Sequence, residues 1–127
     1  MGKYVSRITY KGKEMLFMNA RGVNEQQAIE AWEEMKQAIP KNRDLHLTLI
    51  DGTDIAITPA ILRKAKESSG GGQADPNSRA VFVGMTPIQR STAELIAKGM
   101  RLNVHFCNTL EEGKEWLLKE DAKRGKA

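Results

Sequence analysis

Apolar and polar positions alternate from Tyr4 to Tyr10, placing Tyr4, Ser6, Ile8 and Tyr10 on one face of an extended segment and Val5 and Thr9 on the other. A period of two marks a half-buried strand. Lys11-Gly12-Lys13 follows as a tight turn, Gly12 supplying the positive φ that hairpin loops need. Met15-Leu16-Phe17-Met18 is apolar on both faces, as suits a strand covered above and below, so the two segments predict a hairpin. The period then changes. Ala28, Trp32, Met35 and Ile39 form a helical stripe, opened by an Asn24/Gln27 capping box, with Glu25, Glu30, Glu33 and Glu34 off the stripe and Pro40 ending it.

Leu45 to Ile50 reads as a mostly buried strand, broken by Asp51-Gly52-Thr53. Thr58-Pro59 starts a second helix, Thr as cap and Pro at the first helical position, with Ile61, Leu62 and Ala65 facing inward. Ser68 to Arg79 lacks periodicity and is rich in Gly and Pro, which predicts a mobile surface loop and not a domain boundary. Ala80 to Val83 is a short strand closed by Gly84. Thr86-Pro87 repeats the helix start with Gln89 in the capping-box position, and Ile88, Thr92, Leu95 and Ile96 are its expected inner stripe. Asn103 to Phe106 is a last strand. Thr109 with Glu112 opens a final helix whose inner face holds Leu110, Gly113 and Leu117. Residues 1–118 make one domain, and residues 119–127 are expected to fray as a charged, flexible tail. The fold class is α/β: a single-layer, mixed but mostly parallel five-stranded sheet with four helices packed on it and an N-terminal β-hairpin.

Three stretches carry a resemblance. They are Ala20-Arg21-Gly22-Val23 entering the first helix, Leu49-Ile50-Asp51-Gly52-Thr53 leading through Ile57-Thr58-Pro59 to Leu62, and Arg79-Ala80-Val81-Phe82-Val83-Gly84 through Gln89-Arg90 to Thr109–Leu117. Together they resemble the SpoIIAA-like proteins, within the broader group of anti-sigma-factor-antagonist (STAS) and lipid-transfer-like folds. Antagonists of that group carry a phosphorylatable Ser at the start of the helix after the Asp-ended strand. Here the position falls on Pro59 or Ala60, which have no hydroxyl, and the adjacent Thr58 is expected to spend its oxygen on the helix cap. The resemblance therefore implies the fold without a kinase-controlled antagonist role.

Parallel strands send their carboxyl ends to one edge of the sheet, where ligands usually bind. That edge should gather Asn19 and Arg21, Asp51 with Thr53, Thr58, Gly84 with Thr86 and Arg90, and Cys107 with Asn108. The Gly84–Pro87 turn can hold an anion at a helix start, with Arg90 one turn on; the simpler account is that Thr86 and Gln89 cap the helix while Arg90 meets a nearby carboxylate. Gly70-Gly71-Gly72 follows a helix and lacks the Lys of a phosphate loop, so it is a flexible connection. His105 and Cys107 share a strand face, but His46 lies at the opposite end of its own strand, so neither a nucleophile pair nor a zinc site is expected. Asp51 and Asp54, with Gly52 between, suit a turn better than a carboxylate pair. Trp32 belongs to a core stripe, while Trp116 lies beside Leu117 and can face a partner or a neighbouring subunit.

Composition narrows the alternatives. One Cys among 127 residues excludes an intrachain disulfide and agrees with a reducing, cytoplasmic location. No apolar run is long enough for a membrane span, and the N-terminus has no secretory apolar core. The net charge is +4, half of it in the tail, so no nucleic-acid partner is expected. The sequence thus predicts a non-catalytic domain, without cofactor or metal, that binds a regulatory protein or a small anionic ligand at the strand-end edge. The alternative is a lipid or apolar ligand in a cavity between helices and sheet, lined by Met15, Met18, Met35, Met85 and Met100. A homodimer is compatible with either.

Overall fold

The computed structural model describes residues 2–41, 45, 47–56, 58–61, 63, 79–99 and 104–125. Strands β1 (Val5–Tyr10) and β2 (Lys13–Asn19) form the expected antiparallel hairpin. Its turn takes positive φ at both Lys11 (50°) and Gly12 (83°), the backbone that matches the twist of the flanking strands. Helix α1 (Glu25–Lys41) leads to β3 (Leu47–Asp51), and residues 59–61 and 63 belong to a short helix, α2. Then come β4 (Arg79–Val83), α3 (Pro87–Gly99), β5 (Val104–Cys107) and α4 (Leu110–Gly125).

The sheet order is β1-β2-β3-β4-β5, with every pairing after the hairpin parallel. Four parallel strands laid down in sequence by right-handed crossovers put their connecting helices on one face. Leu16, Met18 and Ile50 accordingly pack with Ala28, Ala31, Met35 and Ala38 of α1 and with Ile61 of α2. The other face, carrying Met15, Leu47, Leu49, Val81 and Val83, is left for α4, which covers it with Leu110 and Leu117.

Gly113 is what lets α4 lie so close. A Cβ there would come 2.8 Å from Leu49 Cδ1, 3.0 Å from Val81 Cγ1 and 3.1 Å from Val83 Cγ2. The expected inner face of Leu110, Gly113 and Leu117 is thus the observed one.

Four expectations need correction. Tyr4 packs with the α1 face beside Val5 and not with Ile8 and Tyr10, because the strand begins only at Val5. The buried side of α1 is Ala28, Ala31, Met35 and Ala38, with Trp32 half-buried beside it; small residues at the contact let the helix approach the sheet. The helix also runs one residue past Pro40, whose fixed φ is itself helical. In α3, Ala93 is buried, whereas Ile88 is 81% exposed and the Thr92 hydroxyl bonds back to the Ile88 carbonyl. The cap fixes the helix phase and turns Ile88 outward.

The charged run from Lys119 continues as helix to Gly125. Asp121 pairs with Lys13 of β2 at 2.9 Å, and Glu120 with Arg79 of β4 at 3.7 Å, which ties this turn to the sheet. The predicted loop, including Gly70-Gly71-Gly72, lies outside the described residues except for Arg79, which opens β4. Ile39, Leu62, Ala65, Leu95, Ile96 and Met100 have side chains that also lie outside them.

The start of the chain is held by a contact between distant residues. The Glu34 carboxylate of α1 accepts the backbone N–H groups of Lys3 and Tyr4, each at 2.9 Å, and that of Val5. A charged acceptor meeting three backbone donors makes stronger hydrogen bonds than neutral pairs do.

Replacing Gly113 tests how tightly α4 is seated. Gly113→Ala gains at most about 1 kcal/mol of helix propensity against about 1–3 kcal/mol of overpacking. We expect Gly113→Ala to be destabilised by about 1 kcal/mol and Gly113→Val by more, read as a falling urea midpoint.

Candidate functional site

At the carboxyl ends of the parallel strands the backbone continues pairing for one residue past each strand. Ala20 N–H donates to the Asp51 carbonyl (3.0 Å), Gly52 N–H to that of Val83 (2.9 Å) and Gly84 N–H to that of Cys107 (3.1 Å). At Gly52 and Gly84 a Cβ would come within 2.7 Å of Met85 Cε and 2.0 Å of Thr53 Oγ1, so neither place admits a side chain unless its neighbour shifts. Further out, Gly22 N–H reaches the Thr53 carbonyl and Ala56 N–H the Val23 carbonyl. The edge is therefore a stitched set of loops.

Asp51, Thr53 and Gly84 meet there. The Asp51 carboxylate is buried (4% exposed) and accepts the Thr53 hydroxyl at 2.7 Å and the Thr53 N–H at 3.1 Å. Gly84, at φ 78°, lies directly beneath Thr53; a Cβ on it would sit 2.0 Å from Thr53 Oγ1. Asp54 is exposed at φ 57°, in the left-handed region that Asp tolerates in turns, so Asp51 and Asp54 form a turn as expected. Among the described residues no group of three His, Cys, Asp or Glu side chains is arranged to hold a metal ion.

Helix α3 begins beside this cluster with both arms of its capping box made. Thr86 N–H donates to Gln89 Oε1 (2.9 Å) and Gln89 N–H to Thr86 Oγ1 (3.3 Å). Gln89 Nε2 also donates to the Ile55 carbonyl at 2.8 Å, fixing α3 to the loop after β3. Among the described residues Arg90 meets no carboxylate: Nε donates to the Met85 carbonyl (3.2 Å), a terminal nitrogen to Asn108 Oδ1 (2.9 Å), and the guanidinium lies over the Phe106 ring at 5.8 Å. Phe106 in turn stacks on Phe82.

Thr58 and Arg21 stand apart from these contacts. The Thr58 hydroxyl accepts Ile61 N–H as the cap of α2 and donates to Glu25 at the start of α1. Arg21 is exposed, its N–H donating to Asn19 Oδ1.

A second feature was not foreseen from the sequence: an open groove of about 360 Å³ on the α4 face. His105 and Cys107 reach it from β5, as their spacing on one strand face requires. Trp116 lies parallel to His105, with ring centroids 4.4 Å apart and planes within 4°, and is half-buried on the groove wall. Glu111, Glu112, Glu115 and Lys119 complete the lining from successive turns of α4. The signal was present in the spacing of positions 111, 112, 115, 116 and 119 along one helix flank, but only the seating of α4 brings that flank to β5.

Burial pushes the Cys107 thiol up from its ordinary value of 9.0, Glu112 pushes it further, and Arg90 opposes weakly. A protonated, buried thiol is a poor nucleophile, in line with Cys107 as an ordinary strand-end residue. Glu115 closes a clamp onto the hairpin turn, accepting the Tyr10 hydroxyl at 2.7 Å and the Lys11 ammonium at 2.6 Å. Those two donors, Lys11 first, hold its carboxyl below the ordinary 4.5. The same contacts raise Tyr10 above 10.0 and Lys11 above 10.5.

Neither a known family profile nor any curated protein sequence matches the chain. Among solved structures it is similar to an uncharacterized protein of the DUF3478 family from Shewanella loihica PV-4, which has a SpoIIAA-like fold. The TM-score is 0.57 at 13% identity, covering 89% of this chain and 91% of that one. The likeness shows the fold that Ala20–Val23, Leu49–Thr53 and Arg79–Gly84 pointed to: a mostly parallel five-stranded sheet with four helices and an N-terminal hairpin. No helix among the described residues is long and apolar enough to cross a membrane.

Two variants probe these contacts. Gly84→Ala should cost at least about 2 kcal/mol, from the left-handed backbone and the Thr53 hydroxyl together. Part of that loss should return in a Thr53→Ala background, measured as a double-mutant cycle. Glu115→Gln tests the clamp through pH. A lowered carboxyl stabilises the fold above about pH 4.5 and loses its contribution as pH falls through the folded value. The raised Tyr10 and Lys11 contribute below about pH 10.0 and 10.5 and lose their contribution as pH rises through their folded values. The Tm difference between wild type and Glu115→Gln should therefore be positive at neutral pH and vanish toward both extremes.

Proposed function

We propose that this SpoIIAA-like domain acts by binding a protein, without catalysis, at the strand-end edge where α3 begins. The observation that carries the reading is Ile88, the one large apolar side chain strongly exposed among the described residues, at 81%. Its neighbours on the helix, Thr86, Ser91 and Thr92, are uncharged and already hydrogen-bonded. The Ser91 and Thr92 hydroxyls donate back to the carbonyls of Pro87 and Ile88, both at 3.2 Å, and Thr86 and Gln89 satisfy each other. In a chain with 28% charged residues, a helix start showing Thr86, Pro87, Ile88 and Ser91 offers apolar area at little desolvation cost.

The same contacts favour a protein over a small anionic ligand. The capping box occupies the Thr86 and Gln89 N–H groups, Pro87 has none to offer, and Arg90 is held by Met85 and Asn108. A phosphorylation switch gains no support, since Thr58 is engaged with Glu25 and Ile61 while Pro59 and Ala60 carry no hydroxyl. Nor does an apolar-ligand cavity: Met15 packs on one side of the sheet and Met18 and Met35 on the other. Against an enzyme stands the character of the shifted groups, a surface clamp and a thiol shifted away from reactivity.

The test is affinity capture from the source cell with wild-type and Ile88→Asp baits. An interface anchor is worth about 2 kcal/mol or more, roughly thirtyfold in Kd. A partner should be retained by wild type, lost by Ile88→Asp and kept by Arg21→Ala, with Tm unchanged in both variants. Identical recovery with Ile88→Asp overturns the assignment.

A further inference from the structure

We propose that the groove between β5 and α4 takes an extended, lysine- or arginine-bearing segment of a partner protein, added beside β5 as a sixth strand. The sheet has two edge strands, and they differ in chemistry. Edge strands present unpaired N–H and C=O groups, and charged side chains are a common guard against unwanted pairing. β1 carries exposed Arg7, paired with Glu14 at 2.6 Å, and exposed Thr9. β5 is Val-His-Phe-Cys, with no charged residue and no proline, and its first three residues are half-buried. The unguarded edge is the one flanked by the groove.

Geometry then dictates what an added strand would present. On the α4 face its alternate side chains would continue the row of His105 and Cys107 and enter the groove. The intervening ones would continue the row of Phe106, beside Phe82 and Arg90. The groove wall carries the stacked His105 and Trp116 rings, and its rim holds three carboxylates, Glu111, Glu112 and Glu115, against one ammonium, Lys119.

Glu115 is taken by Lys11, whereas Glu111 and Glu112 accept only hydroxyls, of Tyr10 (3.4 Å) and Thr109 (3.2 Å), and have no ion-pair partner among the described residues. An apolar wall with an acidic rim suits a side chain with an aliphatic stem and a cationic head, and a guanidinium adds stacking on the rings. A second copy pairing through its own β5 would bring no cation to that rim, since β5 contains none.

The probe is a fluorescein-labelled peptide of sequence Lys-Val-Arg-Val-Lys-Val, with Glu-Val-Glu-Val-Glu-Val as control. The basic peptide should raise anisotropy on binding, weaken as salt is raised, and bind at least about tenfold more tightly than the control. It should also slow amide exchange at residues 104–107, which locates it on β5. Glu111→Gln/Glu112→Gln should weaken it about tenfold. Glu111→Lys, at an exposed position clear of the α4 cap, should act in the same direction should the double variant fold poorly. Ile88→Asp should leave it unchanged, separating this surface from the α3 site. Equal binding of the acidic peptide, no protection of residues 104–107, or a homodimer that protects those amides without peptide would each overturn the proposal.

Discussion

A parallel strand in the middle of a sheet has no solvent face, and β3 shows what that demands. Leu47 and Leu49 must be covered from one side and Ile50 from the other, so the chain has to supply helices to both. Three crossover helices fall on one face by handedness alone. The opposite face then depends on α4, with Gly113 setting the distance. Seating α4 aligns Leu117 over the core and Trp116 over His105, brings Glu115 to the hairpin turn, and creates the groove. One close approach of a helix to Leu49, Val81 and Val83 thus fixes several features of that face at once.

The strand-end edge obeys a different constraint. Its polar groups are consumed where they stand, from Asp51 with Thr53, through Thr86 with Gln89, to Arg90 with Asn108. Beside these satisfied groups Ile88 stands exposed at the start of α3.

Features written in neighbouring residues were legible from the sequence. The capping boxes at Asn24/Gln27 and Thr86/Gln89 formed with both arms because their partners are three residues apart. At Thr109 the Glu112 carboxylate takes the hydroxyl instead of the backbone N–H, so half of the box was realised. The order of strands and helices followed from hydrophobic period, and the inner face of α4 from its spacing. Helix phase was harder, as Trp32 and Ile88 show, because both are apolar residues beside the true contact line, and an apolar stripe does not reveal which residues are small enough for close approach. Of the candidate site residues, Asp51, Thr53 and Gly84 converge through the register of adjacent strands, while Thr58 and Arg21 belong to the neighbouring loop and helix start. Contacts across the chain, such as Glu34 with residues 3–5, left no mark on local pattern.

The ties between the ends of the chain have a further consequence for how the molecule comes into being. Tyr10 and Glu115 are 105 positions apart, and Lys13 meets Asp121. The hairpin is a local contact, yet one flank of it stays uncovered until α4 packs. Contacts that span nearly the whole sequence raise the entropic cost of closing the fold and slow it. On a ribosome, the face bearing Met15, Leu49 and Val81 would remain bare until α4 had emerged. Until α4 packs, that apolar surface is open to sticking to its neighbours.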